Sequence, residues 1–323
     1  MLFVVNNHSR QLPGPPLLIL SIGILAVSTA SIFIRYAHEF APSLVIAAWR
    51  LSLASLLLAP IAVTRHRHEL SSLHRRELEL ALLSGLFLAI HFAAWITSLA
   101  YTTVASSVVL VSTVPLWVAL LSPITIKEPM TKPVLVGMML ALLGGAIVGM
   151  SDSCSLEAGR LACPSWSEFI QGKAFLGDFL ALVGAIAAAG YLIIGRSLRA
   201  RVSLISYVFV VYGMAAIALV VIMLAAGDQP FGYPPITYLW FLLLALVPQL
   251  IGHSTYNWAL GYLSVAYVSI ALLGEPIGST ILAYFLLGEI PSLFKIVGAV
   301  LILVSIYLAS RSETTPSNPE TPS

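Results

Sequence analysis

Two ionisable side chains stand inside long apolar stretches of this chain. Glu275 lies eleven residues into the apolar run that begins at Ser264 and ends at Leu287. At a rise of ~1.5 Å per residue it lies roughly 16 Å along a helix, near the middle of a hydrocarbon layer about 30 Å thick. Arg50 lies eight residues into another apolar stretch. A charge at such a depth costs about 2.5 kcal/mol or more, so each residue is a candidate functional group.

Substrate binding or coupling is the chemistry that suits this pair. An arginine holds a carboxylate or phosphate through two parallel hydrogen bonds. A glutamate inside an apolar layer can exchange a proton or hold a cationic group. A structural ion pair, or an arginine that reaches toward the membrane surface, is the alternative and stays open at this point.

Further polar and aromatic residues lie in the apolar stretches and are candidates for the same site. His253 and Asn257 are one helical turn apart, so they share a helix face. The other candidates that could line a cavity are His91, Trp95 and Tyr191. For each of them helix packing is the alternative role.

Two prolines are candidates for bending helices, and two cysteines are candidates for a disulfide. Pro115 and Pro276 lie in the middle of apolar stretches, where a proline weakens or bends a helix. Cys154 and Cys163 share one polar loop and are candidates for a disulfide, if that loop faces an oxidising compartment.

Composition identifies the class of protein that must position these residues. Hydrophobic residues make up 59% of the 323 residues and charged residues 9%, with a mean hydropathy of +0.97. A soluble domain could not bury so much apolar surface, so we predict an all-α membrane protein that lies in a lipid bilayer. The net charge of +2 gives no reason to expect nucleic acid as a partner. The sequence has no zinc spacing, phosphate-binding loop or nucleophile elbow, so we expect no metal, no cofactor and no enzyme activity.

Hydropathy predicts ten transmembrane helices, which we call spans one to ten. We interpret the first as an uncleaved helix and the tail 312–323 as disordered. The predicted ranges are 16–34, 42–63, 77–98, 104–126, 133–150, 174–195, 204–226, 237–258, 264–287 and 292–310.

The two halves of the chain repeat one another. A shift of 161 positions gives eleven identities in the 45 positions from Leu99 to Leu143, and these include Pro115 with Pro276 and Glu128 with Glu289. Each half holds five spans, an odd number, so the two halves must be inverted relative to each other. We predict two inverted five-helix repeats at 1–150 and 173–311, joined by an external loop at 151–172. Such inverted repeats are a recurring architecture of secondary transporters, with the binding site near the middle of the membrane.

The distribution of lysine and arginine predicts the orientation. With the N-terminus in the cytoplasm, eleven of the sixteen basic residues fall in cytoplasmic segments and four in external ones, and Arg50 lies within a span. Because basic residues accumulate on the cytoplasmic side, we expect a multi-pass protein of the cytoplasmic membrane with both termini and the tail inside.

At these residues the sequence resembles the EamA branch of the drug/metabolite transporter superfamily. The resemblance is carried by Leu272-Leu273-Gly274-Glu275-Pro276, Leu286-Leu287-Gly288-Glu289 and Ile296-Val297-Gly298-Ala299. Ser112-Thr113-Val114-Pro115 is a looser first copy, in which Val114 replaces the glutamate. The resemblance implies alternating access through a central cavity, formed mainly by spans three, four, eight and nine with spans one and six nearby. It also implies small-metabolite substrates, which are often exported.

We therefore expect a secondary active or facilitative transporter of a small polar or amphipathic metabolite such as an amino acid. An intramembrane enzyme and a channel or sensor are the alternatives. Substrate identity, direction, and a coupling proton or counter-substrate stay open, as does the choice between monomer and homodimer.

Overall fold

A computed structural model of the chain describes residues 16–125 and 172–311, with isolated positions between 132 and 147 and the backbone of two short strands. The described spans are helical almost throughout. Their segments are Pro16–Ser28 and Ala30–His38 (span one), Ser43–Arg65 (two), Arg75–Ser98 (three), Val104–Val111 and Val114–Thr125 (four), Lys173–Arg199 (six), Leu204–Ala225 (seven), Pro235–Leu244, Ala245–His253 and Ser254–Ala259 (eight), Val265–Ala271 and Gly274–Leu287 (nine), and Leu293–Arg311 (ten).

The described part of the chain confirms the predicted all-helical membrane architecture. Within it, eight helices are long and apolar enough to cross a membrane, and Leu293–Ser305 of span ten is a shorter apolar helix. Most of the fifth predicted span, both cysteines and the tail lie outside the described residues. In the loop before span six, strands β1 (Ser155–Glu157) and β2 (Arg160–Ala162) pair antiparallel, with Ser155 opposite Ala162.

Two helices extend about one turn beyond their predicted ends, and the reason is hydrogen bonding. Span one continues to His38 and span six to Arg199. Hydropathy alone ends each helix before the first arginine, Arg35 or Arg196. Both arginines instead donate to backbone carbonyl oxygens of other segments, Arg35 to Thr102 at 2.6 Å and Arg196 to Leu260 at 2.8 Å. Because these bonds replace lost hydration, the charges are compatible with helix at the edge of the apolar layer.

The internal repeat is visible in the helix boundaries. A shift of 161 residues carries the start of span two at Ser43 to the start of span seven at Leu204, and the end of span three at Ser98 to the end of span eight at Ala259. The N-caps also match: the Thr103 hydroxyl accepts from Ser106 N at 3.2 Å, and the Ser264 hydroxyl accepts from Tyr267 N at 3.1 Å. A side-chain oxygen at this position satisfies an otherwise unpaired helix N–H group, so the same local chemistry starts both helices.

Helices are interrupted near the middle of spans four and nine. The first breaks at Ser112 and Thr113, and the second at Leu272 and Leu273. Each break lies two to four residues before the proline of that span, which has no N–H to donate to the preceding turn. In both spans the break therefore lies just before the repeated proline. Span eight is irregular in another way, since Ala245–His253 forms a π-helix that contains Pro248.

Small residues bring the central helices close together. A Cβ atom at Gly85 in span three would lie 2.6 Å from the Met214 side chain in span seven. A Cβ atom at Gly184 in span six would lie 3.3 Å from the Cβ of Trp95 in span three. The contact at Gly85 leaves no room for a side chain and the contact at Gly184 is unusually tight, as is common where membrane helices pack. Spans three and six consequently run side by side through the core and form the wall of a central cavity.

Candidate functional site

A small cavity lies where the broken helices face each other. Spans three, four, six, eight and nine contribute its walls. Its volume is about 30 Å³, which is enough for about two water molecules. The polar and aromatic residues of its wall are His91, Trp95, Ser112, Tyr191, His253, Tyr256 and Glu275.

Glu275 is the carboxylate that faces this cavity. It lies in the first turn of the second half of span nine, directly after the helix break, and is partly exposed. In the described part of the chain, no hydrogen bond or ion pair to its carboxylate is found. A carboxylate near the start of a helix segment is favoured by the helix dipole, but it retains its capacity to bind a cationic group.

Arg50 lies behind the cavity wall and is completely buried. Its Nε donates to Gln249 Oε1 at 2.9 Å, and its guanidinium carbon lies 4.1 Å from the centre of the Phe92 ring. The geometry is that of a cation–π contact. Nη1 and Nη2 have no hydrogen-bond partner among the described residues. Buried charged donors without partners are costly, so this group is prepared to accept an anion.

Arg50 and Glu275 face the same region without touching. The two side chains are close enough for their charges to attract each other. Among the described residues, however, they do not form an ion pair with a nitrogen–oxygen distance of 4.0 Å or less. Phe92 contacts Arg50 and His253 lines the cavity, and their ring centres are 5.1 Å apart. Arg50 is not part of the cavity lining, so a ligand that reached both charges would require side chains of the wall to move.

The two histidines of the sequence prediction meet at the cavity. The ring centres of His91 and His253 are 6.2 Å apart. His91 Nδ1 lies 2.9 Å from the carbonyl oxygen of Gly184, which assigns the proton to Nδ1. His91 also stacks on Trp95 at 5.8 Å between ring centres. The bond to Gly184 fixes the orientation of the His91 ring.

Asn257 lies outside the cavity lining and organises the tyrosines near it. Its side-chain nitrogen donates to the hydroxyls of Tyr191 and Tyr212 and to the His253 carbonyl oxygen. Tyr191 lines the cavity, and the Tyr212 hydroxyl lies 3.2 Å from Ser254 Oγ. The structure thus places Asn257 as a positioning residue for the cavity wall.

Two further donors in the wall have no partner among the described residues. They are Trp95 Nε1 and the Tyr256 hydroxyl, on residues that are each 2% exposed or less. Both side chains line the cavity. A ligand with hydrogen-bond acceptors would satisfy them on entry.

In the structure, six of the seven residues predicted for one site lie in or beside the cavity and Arg50 is not part of its lining, and the sequence prediction missed several of their neighbours. Gln249 and Phe92 contact Arg50, and Ser112 and Tyr256 belong to the wall. One signal was available, because Gln249 is an amide inside an apolar span and follows Pro248 directly. No group of three or more metal-ligating side chains occurs among the residues that the structure describes.

Comparisons with known proteins extend over most of the chain. An uncharacterized transporter of Archaeoglobus fulgidus is 24% identical over 298 residues, which cover 92% of this chain and 97% of the relative. The uncharacterized transporter YyaM of Bacillus subtilis is 23% identical over 272 residues, or 82% of this chain and 83% of the relative. A solved crystal structure has the same fold, with a TM-score of 0.65 at 17% identity over 93% of this chain and 99% of that one.

The family assignment follows from a match to both halves of the chain. The model of the EamA-like transporter family matches residues 15–150 and again residues 175–311. The two matched segments coincide with the two halves that the repeated helix boundaries define, and they include Arg50, Glu275 and the other residues that line the cavity. The chain belongs to the EamA-like transporter family and is a multi-pass membrane transporter.

Proposed function

We propose that this transporter moves a small zwitterionic metabolite, such as an amino acid, across the cytoplasmic membrane by alternating access, in the export direction. The observation that carries the proposal is the pair of unmatched charges beside one cavity. Among the described residues no hydrogen bond to the Glu275 carboxylate is found, and Arg50 keeps two guanidinium nitrogens without a partner. A substrate amine on Glu275 and a substrate carboxylate on Arg50 would satisfy both groups.

The tightness of the cavity fits alternating access. Its volume of about 30 Å³ leaves no room for a metabolite, so binding requires that spans four and nine move apart. Both spans are interrupted beside the cavity, at Ser112–Thr113 and Leu272–Leu273. Interrupted helices allow each half-span to tilt separately, which is how this class of transporter changes access.

Substrate counterflow in proteoliposomes tests the proposal directly. Liposomes with purified protein are loaded with an unlabelled amino acid, and uptake of the labelled compound is measured. Saturable uptake that the internal substrate stimulates supports a transporter, whereas uptake without saturation or stimulation indicates a channel. Recovery of a chemically altered substrate indicates an enzyme.

Substrate analogues test the roles of the two charges. The parent protein should discriminate an amino acid from the analogue that lacks the amine by roughly 10-fold or more, since charged hydrogen bonds contribute about 1.5–3 kcal/mol. Glu275→Gln should lose this discrimination and keep the one against the analogue that lacks the carboxylate. Arg50→Gln should show the reverse pattern, and equal discrimination in all three proteins would contradict the assigned roles.

A further inference from the structure

A cluster of hydrogen bonds joins four segments at the predicted external face. Arg35, in the last turn of span one, donates from Nη2 to the Thr102 carbonyl oxygen at 2.6 Å and to Glu289 Oε1 at 3.3 Å. The other oxygen of Glu289 accepts from Val104 N, the first residue of span four, at 2.9 Å. Lys295 of span ten donates to the Thr103 hydroxyl at 2.8 Å.

Glu289 is held in place for this contact by the end of span nine. Gly288 adopts a positive φ of 68° as the helix C-cap, and Glu289 N then donates to the Ala283 carbonyl oxygen at 3.2 Å. Glycine adopts this left-handed conformation without steric strain. The carboxylate thereby reaches the unpaired N–H of span four, so the outer ends of the two broken spans are joined through one side chain.

The repeat-related arginine makes a similar contact at the opposite face. Arg196 corresponds to Arg35 under the shift of 161, and its Nη1 donates to the Leu260 carbonyl oxygen at 2.8 Å. Leu260 is the C-cap of span eight, as Leu99 is of span three. On one face, Arg35 ties span one to the loop between spans three and four. Because the repeats are inverted, Arg196 ties span six to the loop between spans eight and nine on the other face.

We propose that these contacts are two latches that control which face of the membrane the cavity opens to. The outer latch consists of Arg35, Glu289 and the backbone at Thr102 and Val104, and the inner latch consists of Arg196 and the Leu260 carbonyl. This inference deepens the proposed function and depends on it. Both latches are formed in this structure, which agrees with a cavity too small for a metabolite. Opening one latch frees the broken spans at that face alone.

Thiol accessibility from each side of the membrane tests the latches without any substrate. Cys154 and Cys163, the two native cysteines, are replaced by serine. Ser112→Cys then places a reporter in the cavity wall at the break of span four. A membrane-impermeant maleimide is applied to right-side-out and to inside-out vesicles that contain the full chain.

We expect Glu289→Gln and Arg35→Gln to raise the labelling rate from the predicted external face by about tenfold, because each removes a charged hydrogen bond from the closed form. Arg196→Gln should raise the rate by a similar factor from the other face. The control is Glu79→Gln, which breaks an exposed ion pair with Arg75 of 2.8 Å outside the latches and should change neither rate.

The outcomes separate the latches from the proposed function. Faster labelling from one face in each latch variant supports the latches even if no amino acid is transported, which would overturn the proposed substrate alone. Unchanged labelling in the latch variants, or an equal increase from both faces, would overturn the latches. If Glu289→Gln does not accumulate, Arg35→Gln supplies the same test, since it breaks the same pair from the other side.

Discussion

Replacement of Glu275 by glutamine separates a transport role from a structural one. The substitution keeps the shape of the side chain and removes its charge. In the structure Glu275 is partly exposed and lines the cavity, and its carboxylate has no hydrogen-bond partner among the described residues. No existing bond is therefore lost, and we expect the free energy of unfolding to change by less than about 1 kcal/mol. A structural ion pair with Arg50 would instead cost about 3–5 kcal/mol when broken.

The expected effect on transport is much larger than the effect on stability. A charged hydrogen bond to a substrate amine contributes about 1.5–3 kcal/mol, so initial uptake at low substrate concentration should fall by roughly 10- to 150-fold. Uptake is measured in proteoliposomes, and unfolding is followed by the intrinsic fluorescence of the six tryptophans. Glu79→Gln is the matched control, because that side chain is 59% exposed and lies on the surface of span three.

Two results would refute this reasoning. Transport at the parental rate between about pH 5.5 and 8 would show that Glu275 is not the operative group. Normal transport per folded molecule together with a collapse in yield would show that the residue maintains the fold. The combination of normal yield and lost transport supports the binding role.

Three further predictions concern the loops and the topology. Partial burial acts to raise the pKa of Glu69, but hydrogen bonds from Ser203 and Ser206 outweigh it and lower that pKa to about 2. The stability that Glu69 contributes should therefore be complete above its unfolded pKa of about 4.3 and be lost as the pH falls toward 2. Glu69→Gln should make the thermal unfolding temperature less dependent on pH over that range. An unchanged dependence of this temperature on pH would contradict the assignment. Reporter fusions at residue 312 should give a cytoplasmic signal, and an external signal would reverse the predicted orientation. Cys154 and Cys163 flank the paired residues Ser155 and Ala162 in sequence, so we expect a disulfide between these two cysteines. It should stabilise the loop by about 2–3 kcal/mol and protect both thiols from alkylation until a reductant is added. Labelling of both cysteines without reductant would exclude the disulfide.

Hydropathy and the repeat predicted the helices well because both are local properties. The predicted boundaries of the described spans lie within a few residues of those in the structure. The lengths of spans one and six were underestimated, since the partners that stabilise Arg35 and Arg196 come from distant loops. Sequence spacing carries no information about such contacts.

The sequence predicted that the candidate residues lie inside the membrane but not how they are arranged. The depth of Arg50 and Glu275 follows from their position in apolar runs. The contacts of Phe92 with Arg50 and with His253 depend on how spans two, three and eight are rotated against one another. A rotation is set by packing of whole helix faces, so neither these aromatic contacts nor the bond from Arg50 to Gln249 could be derived from one sequence.

The π-helix of span eight makes this part of the chain sensitive to the deletion of a single residue. Its turns are wider than those of an α-helix, which advances by about 100° per residue. Gln249 and His253 both lie in the segment Ala245–His253, and they serve different partners: one meets Arg50 and the other faces the cavity. Removing one residue between Gln249 and His253 would restore ordinary helical hydrogen bonding and shorten their spacing from four residues to three, which changes the direction of one side chain relative to the other. The helix would become more regular, and one of these two contacts would be lost.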